Sequence, residues 1–167
     1  MNSDMGKDYH IEINISEQRL RLFNADNVVK EYSISTAKNG PGEKQDSERT
    51  PRGEHVIAEK IGDGCSKNTV FVNRQSTGEL FSGELRQQYP GRDWILTRIL
   101  WLKGLEQGTN LGGDVDSYNR YIYIHGSPDD VQMGTPGSRG CIRMRNADVI
   151  ELFEHVSVNT RVLIREK

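Results

Sequence analysis

The chain has 167 residues, of which 34% are hydrophobic and 28% charged, as is typical of one soluble globular domain. Its 22 Lys and Arg against 24 Asp and Glu give a net charge of -2. This balance argues against general nucleic-acid binding, which usually needs a clear basic excess. The two cysteines, Cys65 and Cys141, are too few for a disulfide framework. We expect a single domain, residues 1–167.

No targeting segment is predicted. Residues 1–8 lack the basic and apolar regions of a signal peptide. The most apolar run, residues 94–102, is short and is interrupted by Arg98, so it is not expected to cross a bilayer. These features predict a cytoplasmic protein, unless an export signal has been removed.

The N-terminal third alternates apolar and polar residues, which is the periodicity of half-buried strands. The alternation covers residues 9–15 and 19–23, and a turn signal at 24–27 separates the second stretch from another over 28–35. We predict a β-meander there.

The middle of the chain is less regular. Residues 36–53 are rich in Gly, Pro and charges and predict a loop, and residues 54–60 predict a strand. Residues 61–93 are weakly patterned, with a possible short helix near 83–88. The apolar, β-rich run over 94–102 predicts a central strand.

A Gly-rich loop over 104–119 precedes a buried strand at 121–124, which ends at His125. One helix is predicted after Asn146, a favourable N-cap residue. Its apolar stripe consists of Val149, Ile150, Phe153 and Val156. A last strand follows at 161–165. The pattern as a whole predicts a mainly β domain with one well-marked helix near the C-terminus.

The residues with the clearest chemistry lie between this buried strand and the helix. His125 begins a His-Gly-Ser segment, and sixteen residues later Cys141 ends a Ser-Arg-Gly-Cys segment. A neighbouring imidazole can turn a thiol into a nucleophile. Gly140 permits a close backbone approach, and amides near Cys141 can donate to an oxyanion. From spacing alone, Cys141 also fits a passive buried cysteine.

These segments resemble the L,D-transpeptidase catalytic domain (YkuD-type), whose motif is a His-Gly followed by a Ser-His/Arg-Gly-Cys block. Ser35-Thr36, followed by Thr50-Pro51-Arg52-Gly53, resembles a second motif of the family. The motifs occur in the family's order. The resemblance covers about residues 9–165, nearly the whole chain.

The resemblance implies a mixed β-sandwich and a set of catalytic roles. Cys141 would attack the carbonyl of the third stem-peptide residue and expel D-alanine, and His125 would accept the thiol proton. A backbone carbonyl of Gly126 or Ser127 would orient the imidazole. The amides of Gly140 and Cys141 would form the oxyanion hole.

The sequence departs from the family at two positions beside the nucleophile. Arg139 stands where many relatives have His, and Arg143 where some have Asn. We infer that one of them binds a substrate carboxylate, because guanidinium pairs bidentately with carboxylates. Arg98, within an apolar run, needs a partner, either in a core ion pair or on the substrate.

The remaining Cys and His residues have simpler interpretations. Cys65 has no His at useful spacing and is expected to be a passive thiol. His10 is expected at the surface of a strand, and His55 and His155 are expected to be structural. No Cys/His spacing matches a zinc site, so no metal or other cofactor is expected.

Three functions remain open. The first is a cytoplasmic L,D-carboxypeptidase that releases terminal D-alanine from murein tetrapeptides during peptidoglycan recycling. The second is an L,D-transpeptidase that forms cross-links, and the third an inactive wall-binding module. The absence of an export signal favours the first, and the complete catalytic motif disfavours the third. The expected partners are stem peptides or muropeptides, not nucleic acid or membranes, and the oligomeric state is left open.

Overall fold

The computed structural model describes residues 8–167. The prediction that residues 1–8 carry no signal peptide therefore concerns residues that lie, except for Asp8, outside the described part of the chain. Two α-helices, α1 (Gly83–Gln88) and α2 (Asn146–His155), and a 3-10 turn (Gly113–Val115) accompany ten strands. The strands are β1 (Tyr9–Asn14), β2 (Arg19–Asn24), β3 (Asn27–Ser35), β4 (Gly53–Ile61), β5 (Thr69–Val72), β6 (Gln75–Leu80), β7 (Ile95–Gly104), β8 (Tyr123–Ser127), β9 (Ile142–Arg145) and β10 (Arg161–Arg165).

The strands form one sheet that closes on itself. Its order is β4-β10-β1-β2-β3-β9-β8-β7-β5-β6, and a further pairing of β4 with β7 closes eight of the strands into a ring. Pairs β1–β10 and β8–β9 are parallel, and the other pairs are antiparallel. Closure pairs the edges that an open sheet would expose.

Alternating residues of the ring build the main core, and α2 packs against β7, β8 and β9. The helix adds Val149, Leu152 and Phe153 to this core. The strand residues in it include Ile11, Ile13, Leu20, Leu22, Ile34, Leu100, Leu102, Ile124, Ile142, Met144, Val162 and Ile164. Because strand side chains alternate between faces, the odd-numbered residues of β8 and β9 face away from this core.

Strand β7 is divided by an irregularity that separates the ring from the hairpin β5–β6. Its later residues pair with β4 and β8, whereas Ile95 and Leu96 pair with β5, and Leu96 also pairs with Gly126 of β8. At the break, Thr97 has φ +76°, a rare conformation for a β-branched residue. The hairpin therefore projects from the start of β7, beside the end of β8 that carries His125.

The mainly β fold class with one C-terminal helix is confirmed, although one closed sheet describes the molecule better than a two-sheet sandwich. The predicted meander corresponds to β1–β3, and the possible helix at 83–88 is α1. Strands β5, β6 and β9 were not predicted. The N-cap prediction was wrong: α2 is capped at Arg145, and Asn146 lies inside it with a fully buried side chain.

Across residues 8–167, neither helix has the length and apolar character needed to cross a membrane.

Candidate active site

The two predicted catalytic residues lie on neighbouring strands and on the same face. Strands β8 and β9 are parallel, with Ile124 opposite Ile142 and His125 opposite Arg143. Cys141, one residue before β9, therefore lies level with Tyr123. Ile124 and Ile142 point into the main core, so alternation places Tyr123, His125 and Cys141 on the opposite face.

The thiol of Cys141 is held by backbone groups. The amide of Tyr123 donates to Sγ at 3.3 Å, and the thiol donates to the carbonyl of Tyr121 at 3.3 Å. Tyr121 reaches this position with φ +58°, which is uncommon for an aromatic residue. Burial raises the pKa of the Cys141 thiol to about 12, and the Tyr123 amide offsets part of that rise. The resting nucleophile is therefore a protonated thiol.

His125 is almost fully buried, and one of its two ring nitrogens is occupied. Nδ1 lies 2.7 Å from the carbonyl oxygen of Gly126, which only accepts, so the proton is on Nδ1. Nε2 has no partner among the described residues and is left as the basic nitrogen. Burial lowers the pKa of the His125 imidazole, although Asp93 opposes this. A neutral imidazole beside a neutral thiol can act as a general base during attack.

The carbonyl that orients the imidazole is held by close packing. A Cβ on Gly126 would lie 2.5 Å from Asn146 Oδ1 and 2.6 Å from the Leu96 carbonyl oxygen, so only glycine fits. Asn146 is fixed in turn, because Thr97 Oγ1 donates to its Oδ1 at 2.6 Å and its Nδ2 donates to Asn68 and Asp129. The polar cluster explains why Asn146 is buried and does not cap the helix.

The loop around the nucleophile is bonded to the predicted Thr-Pro-x-Gly segment. Thr50 Oγ1 donates to the Gly140 carbonyl at 2.9 Å and accepts from the Ala37 amide. Ser138 Oγ donates to the Cys141 carbonyl and accepts from the Gly140 amide at 3.1 Å. The Gly140 amide is thus already engaged, which leaves the Cys141 amide as the better placed of the two predicted oxyanion donors.

Cys141 opens into a pocket of about 380 Å³. The pocket has one apolar wall, made by side chains of β5, β7 and the approach to β8, and one rim of cationic groups. Its lining consists of Phe71, Val72, Asn73, Arg74, Asp93, Ile95, Ile99, Arg120, Tyr121, Ile122, Tyr123, Arg139 and Cys141. An apolar pocket with a few convergent polar groups is the usual form of a small-ligand site.

The arginines of this region differ in what they bind. Arg143 pairs with Asp93 at 3.2 Å and donates to the Gly137 carbonyl. Arg120 donates to the Arg49 carbonyl at 2.7 Å, and burial lowers the pKa of its guanidinium. Arg139 is exposed, lines the pocket, and has no hydrogen-bond or ion-pair partner within residues 8–167. Of the two arginines predicted to bind a carboxylate, Arg139 is therefore the one that is free to do so.

Of the predicted site residues, Cys141 and Arg139 line the pocket, whereas His125, Gly126, Ser127, Gly140, Arg143 and Arg98 do not. The Arg98 guanidinium is buried, donates to the carbonyls of Cys65 and Thr97, and stacks over Phe153. It is neither in an ion pair within the described residues nor positioned to reach substrate. Ser127 is fully buried, and its Oγ has no partner in the described part of the chain; the imidazole is oriented by Gly126 instead.

The other histidines have local contacts. His55 is fully buried between the Gly53 carbonyl and Ser117 Oγ. His155 bonds to a carbonyl of its own helix, and His10 stacks on Phe23. Cys65 is a free thiol at the edge of the aromatic cluster that also contacts Cys141.

Sequence reasoning missed several residues of the pocket. Tyr123 precedes His125 by two positions, so strand alternation was a signal for it, whereas Tyr121 lies in the turn before β8. Arg74 and Asp93 belong to the weakly patterned region 61–93, in which no periodic signal identified them.

The fold and the site together place a free thiol and a buried imidazole on one face of a closed β-sheet, the pair of groups that cysteine-dependent acyl transfer requires. The model of the L,D-transpeptidase catalytic domain family (YkuD) matches residues 8–164. The chain belongs to this family.

Similar proteins agree with this assignment. The chain is 31% identical over 156 residues to the putative L,D-transpeptidase YkuD of Bacillus licheniformis, covering 93% of this chain and 65% of that protein. It is 46% identical over 158 residues to the probable L,D-transpeptidase ErfK/SrfK of Salmonella typhimurium, covering 94% of this chain and 44% of that protein. The chain thus spans less than two thirds of either relative.

Solved structures share the fold at low identity. L,D-transpeptidase 3 from Mycobacterium tuberculosis superposes with a TM-score of 0.60 at 13% identity, over 96% of this chain and 62% of that one. An L,D-transpeptidase from Mycobacterium smegmatis gives a TM-score of 0.56 at 15% identity, over 96% and 59%. At these identities the likeness concerns the fold alone.

Proposed function

We propose that the protein is a cysteine-dependent L,D-carboxypeptidase that releases terminal D-alanine from murein tetrapeptides through a thioacyl-enzyme. Cys141 attacks the carbonyl of the third residue as His125 takes the thiol proton, and the acyl group passes to sulfur as the leaving amine is protonated. A water activated by His125 then opens the thioester. The Cys141 amide stabilises the oxyanion in both steps.

The observation that carries the release of a C-terminal residue, whether water or an amine is the acceptor, is the unpaired Arg139. Its guanidinium lines the pocket of the nucleophile, whereas Arg143 is already bound to Asp93. A leaving residue with a free terminal carboxylate supplies the partner that Arg139 lacks. Such a carboxylate is present at the end of every carboxypeptidase substrate.

One observation favours transpeptidation as a second candidate. A smaller pocket of about 210 Å³ shares Arg120, Tyr121, Ile122 and Arg139 with the first. An acceptor peptide lying in it would be held next to the pocket that contains Cys141.

The deciding experiment is mass spectrometry of the products from a purified tetrapeptide, with and without an added acceptor amine. We expect tripeptide and D-alanine in both cases, at equal rates. Cross-linked dimer at high peptide concentration, or an amine adduct formed faster than tripeptide, would instead identify a transpeptidase. The Cys141→Ala variant is the control for uncatalysed hydrolysis.

The proposal places the enzyme in the cytoplasm, on fragments returned for recycling. Cys65 and Cys141 are both free thiols, which suits a reducing compartment. Fractionation of cells that express the untagged protein tests this location. Recovery with periplasmic markers would contradict it and would favour a role in cross-linking.

A further inference from the structure

Strand β7 carries a bulge opposite the peptide bond that joins His125 to Gly126. Gly126 pairs with Leu96, whereas His125 pairs with Ile99. The two partners on β8 are consecutive, so residues 97–98 of β7 are extra residues between the two pairs. A bulge bends its strand, and bulges are common beside active sites, where they redirect a side chain. This bulge lies directly across from the proposed base.

The bulge is buried and held from several sides. Nη1 of the buried Arg98 donates to the carbonyl of Thr97 at 2.7 Å and to that of Cys65 at 2.8 Å. Gly62 packs against the same backbone, since a Cβ there would lie 3.0 Å from the Thr97 carbonyl oxygen. Thr97 itself has φ +76°, which is unfavourable for a β-branched residue. Such strain persists only where the surroundings enforce it, and it is concentrated at functional sites.

The hydroxyl of Thr97 has a defined direction. Its oxygen accepts from the backbone amide of Asn68 at 3.0 Å, and its proton is donated to Asn146 Oδ1 at 2.6 Å. The side-chain amide of Asn146 is oriented in the same way, because its Nδ2 donates to the Asp129 carboxylate at 3.1 Å, and an ionised carboxylate only accepts. Nδ2 also donates to Asn68 Oδ1 at 3.1 Å. Asn146 Oδ1 is therefore fixed in position by the bulge.

The same two side chains pack against Gly126. A Cβ on Gly126 would lie 2.5 Å from Asn146 Oδ1 and 3.1 Å from Thr97 Cβ. The Gly126 backbone therefore has little room to rotate, and its carbonyl accepts from His125 Nδ1 at 2.7 Å. Which ring nitrogen of a histidine carries the proton is set by the hydrogen bond that the other one makes. The position of the Gly126 carbonyl thus decides the tautomer of His125.

We propose that the bulge at residues 97–98 positions His125, and that the Thr97 hydroxyl, acting through Asn146 and Gly126, keeps the imidazole proton on Nδ1. Thr97 and Asn146 are positioning residues, since neither lines the pocket of Cys141. The inference rests on the proposed role of His125 as the base. A proton on Nε2, which is the tautomer that a free imidazole favours, would occupy the nitrogen that must accept the thiol proton.

The test observes the tautomer directly, by NMR of the full chain with ¹⁵N-labelled histidine at a pH where the buried imidazoles are neutral. Correlations from the ring nitrogens to the carbon-bound protons distinguish Nδ1–H from Nε2–H, and the His125 signals are assigned by their loss in His125→Gln. His55, whose ring nitrogens are bonded to other groups, is the internal reference. The spectra need no substrate. A wild type that releases no D-alanine would refute the proposed function, whereas the spectra decide this inference.

The wild type should show His125 as Nδ1–H alone. Thr97→Val keeps the branched shape but removes the hydroxyl, so both tautomers of His125 should appear. Its kcat for D-alanine release should fall by about 10-fold with KM little changed, by analogy with the loss of an outer partner of a metal-bound histidine. Thr97→Ser keeps the hydroxyl and should keep Nδ1–H and most of the rate. Thr160→Val, which removes another buried hydroxyl that accepts from a backbone amide, is the matched control and should behave as the wild type.

A folded Thr97→Val in which His125 remains purely Nδ1–H would overturn the inference whatever its rate, because a merely structural role leaves the tautomer unchanged. So would equal losses in Thr97→Ser and Thr97→Val. A thermal melt shows whether Thr97→Val folds. If it does not, Asn68→Gly decides, since glycine suits φ +73° and the change removes only one acceptor of the Asn146 amide. We expect this variant to show some Nε2–H and a smaller fall in kcat, and an unchanged tautomer there would contradict the proposal.

Discussion

Two buried histidines of this protein share the type of partner at Nδ1 but differ at Nε2. His55 and His125 each lie within hydrogen-bond distance of a glycine carbonyl through Nδ1, at 3.0 Å and 2.7 Å. His55 Nε2 is occupied by Ser117 Oγ at 2.8 Å, whereas Nε2 of His125 has no partner within residues 8–167. Burial lowers the pKa of both imidazoles, for His55 to about 4.

The difference shows that burial and a perturbed pKa do not by themselves identify a base. A catalytic imidazole needs one nitrogen held and the other free to take a proton. His125 meets this condition on the face that carries Cys141, and His55 fails it. The arginines repeat the contrast, because Arg143 has an acidic partner and Arg139 has none.

The largest expected effect comes from removing the Cys141 thiol, whose proton Nε2 of His125 is proposed to accept. Cys141→Ala should abolish D-alanine release, because no thioester can form. The fold should survive, since the lost sulfur is small and partly exposed to the pocket. Product analysis and a thermal melt give both answers. Cys65→Ala is the matched control and should keep most activity. Full turnover by Cys141→Ala would contradict a mechanism in which Cys141 is the nucleophile.

The next effect separates the two histidines. His125→Gln should lower kcat/KM by about 10²-fold to 10⁴-fold, the usual range for a positioned general base. In the wild type, activity should fall with acidification only below the ordinary histidine value of 6.5, because the lowered pKa keeps His125 neutral down to that point. A pH–rate profile measures this limb.

The variant His55→Gln provides the comparison for that profile. It should keep the acid limb and most of the rate, since both ring nitrogens of His55 are already engaged, by the Gly53 carbonyl and by Ser117 Oγ. A loss of rate in His55→Gln equal to that in His125→Gln would break the distinction drawn from their second nitrogens.

The arginine pair gives a smaller effect. Arg139→Gln should weaken transition-state binding of the free-acid tetrapeptide by about 1.5–3 kcal/mol, the value of a hydrogen bond to a charged group. The wild type should cleave a substrate with an amidated C-terminus slowly. Arg139→Gln should cleave that substrate at about the same slow rate. Arg143→Gln should leave the ratio of acid to amide intact. If the wild type cleaves acid and amide equally fast, carboxylate recognition by Arg139 is refuted.

Local signals explain why the sequence predicted some of these features and missed others. Alternation predicted β1, β2 and β3, whereas the strand that precedes His125 was predicted as a buried strand, in agreement with β8, which is buried at all five positions. The strand β9 was missed because it has four residues, follows a Gly-rich loop directly, and carries an arginine at every second position. Asn146 was taken as a cap because that is the commonest use of Asn before a helix.

The arrangement of the site depended on contacts distant in sequence. The Gly140 carbonyl is held by Thr50, ninety positions earlier. Arg74 reaches the pocket through a hairpin that the pattern of residues 61–93 did not reveal. The catalytic pair was predicted from a family resemblance, whereas which arginine is free depends on the position of Asp93, which no spacing encodes.

The smallest expected effect concerns His55, whose two ring nitrogens are both hydrogen-bonded, and it is measured as the free energy of unfolding instead of as a rate. His55 has a pKa of about 4 in the folded chain and near 6.5 when unfolded, so the unfolded chain binds more protons between these values. Stability should therefore be lost as pH falls through this window, with about 2 kcal/mol of the loss between pH 7 and pH 5 due to His55. Urea unfolding at both pH values measures it. His55→Gln should be less stable at pH 7 but should lose less on acidification, because glutamine does not titrate. If the stability of this variant depends on pH as in the wild type, His55 is not the neutral imidazole with two hydrogen bonds on which the comparison with His125 rests.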